Sequence, residues 1–507
     1  MDSQSLGIAP LDDHNLALLE NVHPAGWINP EPSGRYNLVV VGAGTAGLVC
    51  AVGATGLGAK VAIIERDLMG GDCLNFGCIP SKALIASARA VAAARTANEF
   101  GIEVPLGVCA NFAAAAARMR ALRASVAHND SAARLRDLGV DVYFGAARFV
   151  ASDAVEVGGK RLTFRRAAIA TGARAAAPPI PGLAETGYLT NETVFSLTEL
   201  PARLAIIGGG PIGCELAQAL RRLGAEVTLL EALPHVLIRE DRDAAQVVEA
   251  ALRRDGVAIA DGCTILRVER RGNDKILRIE SDRAQSEIAV DEIIVGAGRT
   301  PAVEGLGLEA AGVKYDRSAG IHVDDYLRTS NSRIYAAGDC ASALKFTHLS
   351  DAHARIVLRN ALFRGHQRVS ALTIPWCTYT DPEIAHVGLG EEEARKRGIK
   401  ITTFTQPMAE VDRAILEGQT HGFVKIHVRA GTDQIVGATI VAAHAGEMIS
   451  EITLAMTAGV GLGKLGDVIH PYPTQAEAIR KVANQYARTR LTPFAAKLFK
   501  RWFAWTR

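Results

Sequence analysis

Leu38-Val39-Val40-Val41-Gly42-Ala43-Gly44-Thr45-Ala46-Gly47 reads as a buried strand running through a glycine turn into a helix. Its pattern returns at Leu204-Ala205-Ile206-Ile207-Gly208-Gly209-Gly210-Pro211-Ile212-Gly213. Each copy continues with a helix-like stretch, a second strand and an acid, Glu65 or Glu231, and in both copies 23 residues separate the first glycine from the acid. The first glycine (Gly42, Gly208) permits the tight turn. The second (Gly44, Gly210) lets backbone approach a pyrophosphate, and the third (Gly47, Gly213) lets helix and strand pack closely. The phosphates then lie over unpaired helix N–H groups, and the carboxylate accepts hydrogen bonds from ribose hydroxyls. The repeat predicts an α/β chain with two Rossmann-like nucleotide-binding domains. Because a carboxylate repels a ribose 2′-phosphate, Glu231 favours NADH over NADPH at the second site. Arg221, Arg222 and Arg239 soften that preference.

A chain of 507 residues holds roughly three domains. Hydrophobic residues make up 49% and charged residues 22%, as in a folded soluble protein. Fifty-six basic against 54 acidic side chains leave a formal charge of +2, which argues against wholesale nucleic-acid binding. Eight cysteines at this length do not make a secreted disulfide scaffold. Met1 to Pro10 lacks a basic segment followed by an apolar run, so no secretory signal is expected. The best apolar runs, Leu38–Val41 and Ile293–Ala297, have strand length rather than membrane-spanning length. The expected address is the cytoplasm, where a disulfide would be transient and catalytic.

Between the two glycine motifs lies Gly70-Gly71-Asp72-Cys73-Leu74-Asn75-Phe76-Gly77-Cys78-Ile79-Pro80-Ser81-Lys82. Its two cysteines, just after a nucleotide-binding unit, read as a redox-active dithiol beside a flavin. In one regular helix Cys73 and Cys78 would be too far apart for an unstrained disulfide. Gly77 therefore points to a distorted first turn, Pro80 to an early helical position, and Ala83–Ala94 to the helix that follows. A helix N-terminus favours the thiolate of a nearby cysteine. By order along the chain, Cys73 faces the acceptor and Cys78 the flavin. Lys82, one turn on, is placed near the flavin with Glu215 as its partner. Zinc binding and buried inert thiols are the alternatives. Zinc wants a second knuckle of ligands, whereas Cys50, Cys109, Cys214, Cys263, Cys340 and Cys377 are scattered, several of them as packed small hydrophobes.

Farther on, Ile334-Tyr335-Ala336-Ala337-Gly338-Asp339 reads as a short strand ending in Gly-Asp, ahead of a helix around His348–Leu362. Asp339 is placed on the flavin's ribityl chain. Ala170-Thr171-Gly172 and Gly296-Ala297-Gly298 read as paired strand ends where the chain crosses between domains. Gly71, Gly172, Gly298 and Gly338 join Lys82 among the cofactor-binding positions.

With Gly-x-Cys-x4-Cys-x-Pro-Ser-Lys between two nucleotide motifs, residues 36 to 490 resemble the class I pyridine nucleotide-disulfide oxidoreductases. The resemblance implies a glutathione reductase-like fold: two Rossmann-like domains plus an α+β dimerisation domain. It implies bound FAD and a homodimer with shared active sites. The implied divisions are 1–35, an N-terminal arm; 36–182, the first part of the FAD domain; 183–328, the NAD(P) domain; 329–370, the second part of the FAD domain; 371–490, the interface domain; and 491–507, a basic aromatic tail.

At the end of the interface domain stands Ile469-His470-Pro471-Tyr472-Pro473-Thr474-Gln475-Ala476-Glu477. The family's disulfide reductases carry His-Pro-Thr-x-x-Glu, with the histidine as acid-base. Aligning Glu477 with that glutamate puts Tyr472 in the histidine's place, as in mercuric reductases. A phenol is a poor proton shuttle near neutrality, whereas two thiolates binding a soft metal ion need one less. Hg(II), held by Cys73 and Cys78, is the expected acceptor. A small disulfide, persulfide or other thiol-linked oxidant is the alternative. Against mercuric reductase stand a tail without a cysteine pair and no N-terminal metallochaperone motif. His470 is a substitute base if the extra residue bends the strand, which when regular would point it the same way as Tyr472; a plain interface histidine is the alternative.

The arm is read as packed on the surface, with a short helix at His14–Asn21. In the tail, Phe494, Leu498, Trp502 and Trp505 fall along one helical side, widened by Phe499 and Phe503. Lys497, Lys500, Arg501 and Arg507 supply charge without filling one clean polar face. Such a helix suits peripheral contact at an inner membrane face or packing on the dimer, and a membrane-docked subunit feeding a protein or quinone is a further alternative.

Overall fold

Gly42 and Gly208 end central strands of two separate parallel sheets. The computed structural model describes residues 6–105, 107–281 and 284–507, so the first five residues of the arm lie outside the described residues. The chain divides into one unit of Met1–Gly209, Ala219–Ala232 and Ala258–Leu372 and a second of Gly210–Gln218, Leu233–Val257 and Thr373–Arg507.

In the first unit, strand Tyr36–Val41 lies between Val61–Glu65 and the long strand Lys160–Ile169, with parallel register Val39↔Ala62 and Val39↔Ala167. Val140–Phe144 extends the sheet beyond Val61–Glu65, also in parallel. The start of Lys160–Ile169 pairs with Ala154–Val157 in an antiparallel β-meander, and its end pairs in parallel with Ile334–Ala336. A strand more than 160 residues downstream thus returns to the first sheet. Val39, Val40, Ala167, Ala168 and Ile334 are fully buried, as expected of a parallel sheet covered on both faces.

The second parallel sheet has the order Ala258–Ala260, Glu226–Leu230, Arg203–Ile207 and Glu292–Val295. A three-stranded antiparallel sheet spans Thr264–Val290. In the second unit, five antiparallel strands run in the order Pro375–Thr378, Glu383–Gly388, Ile435–Ala442, Phe423–Arg429, Ile401–Pro407. Helices Ala445–Thr457 and Glu477–Thr489 share an apolar core with that sheet.

The arm departs from the surface packing expected of it. Its helix, Asp13–Val22, is capped by Asp12 and buries Leu18 and Val22 completely, and Ile8 is also buried, all in the core of the first sheet. Asn29 exchanges two hydrogen bonds of 2.8 Å with the backbone of Phe144, and the Trp27 indole N–H donates to the Val142 carbonyl. The arm therefore covers the edge strand Val140–Phe144, which would otherwise expose unpaired backbone groups. Short apolar residues at helical spacing encode this burial, but the polar, proline-rich residues around them hide it in the sequence.

Candidate functional site

A cavity of about 540 Å³ opens at the C-terminal ends of the first sheet's strands. Its walls include Gly42, Gly44, Glu65, Asp72, Cys73 and Asp339. Such a volume is ordinary for a cofactor site. Gly42 has φ +100°, and a Cβ on it would collide with the Ala170 carbonyl; one on Gly47 would collide with the carbonyl of Gly42. A Cβ on Gly71 would come within 2.6 Å of the Gly44 Cα, so these two backbones meet where only glycines fit. The helix Thr45–Gly56 has no side-chain cap, and its first residues, Thr45 and Ala46, line the cavity. Unpaired N–H groups there suit a pyrophosphate. Glu65 accepts hydrogen bonds from the N–H groups of Ala43 (2.7 Å) and Asp67 (2.8 Å), and burial raises its pKa. The carboxylate thus anchors the turn at the edge of the cavity.

The second motif repeats this arrangement. Gly208 has φ +110°, and a Cβ there would lie 2.9 Å from the Gly296 carbonyl oxygen. Glu231 accepts from the N–H of Gly209 at 2.6 Å. In both motifs the first glycine meets the strand end read from sequence as a crossing point. Gly172 (φ +70°) and Gly298 (φ +154°) make the turns just beyond those ends, and Gly172 borders the first cavity. Among the described residues Gly210 meets no neighbour that a Cβ would touch. Gly213 lies in the helix Pro211–Leu223.

The dithiol sits on a broken helix. Gly71–Phe76 forms one short piece and Cys78–Arg95 the next, with Gly77 between them at φ −129°, ψ −111°. A Cβ at Gly77 would lie 2.9 Å from the Asp72 carbonyl oxygen, so the break needs glycine. The Cys73 and Cys78 thiols come within hydrogen-bonding reach, and Cys78 Sγ lies 3.3 Å from Thr347 Oγ1. Hydrogen bonding from Cys73, helped by Thr347 and the charge of Lys82, lowers the Cys78 pKa to about 6 against the opposing effect of burial. The same pairing and burial push Cys73 the other way. The pair therefore gives up its first proton more easily than an ordinary thiol. Thr347 begins the helix Thr347–Phe363, and no motif in the sequence marks it.

Asp72 and Asp339 flank a partly buried arginine that the sequence reading missed. Arg299 Nη1 lies 2.9 Å from Asp72 Oδ2, and its Nε, 3.8 Å from Asp339, has no hydrogen-bond partner among the described residues. Asn191 donates to the other oxygen of Asp72 at 2.9 Å. Asp339 follows Gly338 in a short 3₁₀ turn, and burial raises its pKa. An unfilled donor beside two carboxylates at a cavity wall suits a polyhydroxylated, phosphorylated ligand. Together with the glycine cradle, it makes the cavity chemically fit for FAD.

From behind, a fully buried arginine fixes the dithiol segment. Arg123 donates to the Asn75 carbonyl and to Asn15 Oδ1 of the arm, each at 2.7 Å. The Met69 N–H donates to the Val22 carbonyl at 3.0 Å, and His23 hydrogen bonds the Asp67 carbonyl. The arm therefore grips the segment on both sides of Gly71.

Lys82 belongs to the first unit and Glu215 to the second. A Glu215 carboxylate oxygen accepts the Tyr379 N–H at 2.9 Å. The predicted C-terminal group lies wholly in the second unit, and His470 to Ala476 form no strand there: Pro471 and Pro473 flank Tyr472 and interrupt any ladder. His470 turns inward, 8% exposed, with Nδ1 3.2 Å from the Val468 carbonyl oxygen and Nε2 3.1 Å from Glu451. Tyr472 points outward, 69% exposed, and its hydroxyl donates to Asp412 at 2.8 Å, which raises its pKa. Glu477 begins the next helix. It is buried, Arg480 holds one carboxylate oxygen, and the other has no hydrogen-bond partner among the described residues. Elsewhere in this unit Asp241, Glu391 and His427 gather at metal-ligand spacing, but the buried Lys425 ammonium lies 2.8 Å from Asp241 and 3.6 Å from Glu391, so a cation already balances them.

Comparisons with known proteins agree with this geometry. The family described as pyridine nucleotide-disulphide oxidoreductase matches residues 36–355, and its dimerisation domain matches residues 374–483. Mercuric reductase of Staphylococcus aureus is 34% identical over 450 residues, covering 89% of this chain and 82% of its own. Dihydrolipoyl dehydrogenase of Thermus scotoductus is 35% identical over 460 residues, covering 88% and 96%. Among solved structures, the HOCl-induced flavoprotein disulfide reductase RclA of Escherichia coli, in its Cu(II) complex, superposes with a TM-score of 0.79 at 31% identity. That match covers 89% of this chain and all of the other.

Proposed function

The chain belongs to the pyridine nucleotide-disulphide oxidoreductases, FAD-dependent enzymes of the glutathione reductase fold, and from that premise we propose that it passes electrons from NADH through Cys73 and Cys78 to Hg(II). The overall change is NADH + Hg(II) → NAD⁺ + H⁺ + Hg(0). The enzyme is a homodimer, as its dimerisation domain implies. Bound FAD supplies a two-electron carrier between nicotinamide and dithiol. Gly42, Gly44, Gly47, Glu65, Gly71, Gly172, Gly338 and Asp339 hold it, with Arg299 added to the expected set. Gly208, Gly210, Gly213, Glu231 and Gly298 hold NADH, and NADPH is the weaker donor because Glu231 faces the ribose. Lys82 supplies positive charge beside Cys78, and Glu215 is its proposed partner. The division at residues 36, 183, 329 and 371 belongs to the same reading.

The observation that carries the metal acceptor is the pairing of a stabilised Cys78 thiolate with a proton-holding Tyr472 at the histidine's place. Thiolates bind soft ions without a proton shuttle, whereas release of a thiol product needs a group that titrates near neutrality. In this reading each active site is shared, with Tyr472 and Glu477 contributed by the partner's C-terminal domain. His470 is a positioning residue held between Val468 and Glu451.

Reduction of a small disulfide, persulfide or other thiol-linked oxidant is the second reading, favoured by the likeness to a flavoprotein disulfide reductase. The proposed address is the cytoplasm, with peripheral contact at the inner membrane face through residues 491–507. Anaerobic enzyme given NADH and thiol-bound Hg(II) tests the acceptor. Catalytic NADH oxidation with release of elemental mercury is expected. A dithiol that forms but turns over only with disulfides would replace Hg(II) by the second reading.

A further inference from the structure

The helix Pro493–Trp505 buries none of its residues. Thr492 caps its start, accepting the Ala495 N–H at 3.2 Å, and Pro493 occupies its first turn, so the helix is locally encoded. At about 100° per residue, Phe494, Trp505, Leu498, Trp502, Phe499 and Phe503 follow one another across roughly 180° of the surface. Lys500, Lys497 and Arg501 occupy the remaining sector, spread over roughly 100°. The charges share the sector opposite the apolar face, although Arg501 lies beside Phe494 and the polar face is not a clean one. All six large apolar residues are more than half exposed, up to 78% for Trp505.

We propose that this helix docks the enzyme on an anionic phospholipid bilayer, lying in the interface with its aromatic face down and its lysines and arginine toward the headgroups. A soluble protein rarely leaves so continuous an apolar face in water. The occupant must accept apolar surface and supply negative charge beside it. Residues 478–507 contain no Asp or Glu, so a second copy of the helix would bring like charge against like. A bilayer of acidic lipid meets both demands. The inference deepens the peripheral-contact reading above by naming its lipid partner, and it is independent of the electron acceptor.

The test is flotation of the full-length, FAD-loaded dimer with vesicles of phosphatidylglycerol and phosphatidylcholine, or of phosphatidylcholine alone, together with sedimentation velocity and NADH-dependent turnover. The expected result is flotation with the acidic vesicles that weakens as salt rises. Combined Lys497→Glu, Lys500→Glu and Arg501→Glu should weaken it by roughly a hundredfold, and Trp502→Ser with Phe503→Ser should abolish it without changing turnover on a free acceptor. No flotation of the unaltered enzyme, or flotation indifferent to lipid charge and to charge reversal, would overturn the proposal. So would tail variants that leave vesicle binding alone and instead change the oligomer, which would assign the face to a second copy. Turnover is read separately, so failure of the acceptor assignment leaves this result standing.

Discussion

Gly70–Lys82, a helix broken at Gly77, and Ile469–Glu477, a stretch without regular structure that leads into a helix, both present proton-carrying side chains, yet they are held in opposite ways. The first is locked from every side. Gly71 meets Gly44, Gly77 meets Asp72, Arg123 grips the Asn75 carbonyl, and Asp72 is tied to Arg299 and Asn191. The second is anchored inward by His470 while Tyr472 stands in solvent with one hydrogen bond to Asp412. Their acids are pushed apart in consequence: Cys78 is made easier to ionise and Tyr472 harder. In the proposed reading, electrons are stored on the tightly held segment, and the loosely held one is left for the dimer to complete.

The largest effect expected from breaking this contrast is at the thiols. Cys78→Ser should lower turnover with any acceptor by roughly a thousandfold or more, while NADH still bleaches the flavin in a stopped-flow experiment. Next comes pH. The Cys78 thiolate grows as pH rises through about 6, so alkylation of the reduced enzyme by iodoacetamide should have its midpoint there. An unperturbed thiol would have its midpoint near 8.5.

Gly47→Ala drives a methyl group into the Gly42 carbonyl. About 3 kcal/mol of stability should be lost, with protein recovered largely free of flavin by absorbance. Arg123→Met leaves the Asn75 carbonyl and the Asn15 amide oxygen without a donor. It should cost about 2 kcal/mol in denaturant unfolding and make the arm easier to cleave by protease. Tyr472→Phe is the smallest. Because the ring is exposed, stability should change by less than about 0.5 kcal/mol, so any loss of Hg(II) turnover would report on chemistry alone.

The same contrast explains what could be read from the chain. The two glycine motifs, their acids and the Cys73–Cys78 spacing are local patterns in which each residue type answers a steric or electrostatic demand of its neighbours. Both parallel sheets were legible for that reason. So was the helix from Cys78, with Gly77 as its break. Arg299, Thr347 and Asn191 were not legible, because each reaches the dithiol segment from 100 or more residues away and no local pattern marks its partner. Arg123 escaped for a related reason: it lies in a helix whose alanine and arginine content reads as solvent-facing, yet it ends up buried under the arm. The inward turn of His470 depends on Glu451 and on the flanking prolines, neither of which a strand alternation anticipates.

Electron storage on Cys73 and Cys78 is most directly tested by adding one equivalent of NADH to the oxidised enzyme without oxygen and counting new thiols alongside flavin absorbance. Two new thiols per subunit, with the flavin returned to its oxidised spectrum, and no new thiol in Cys78→Ser, are predicted. A flavin that stays reduced while no thiol appears would contradict the account.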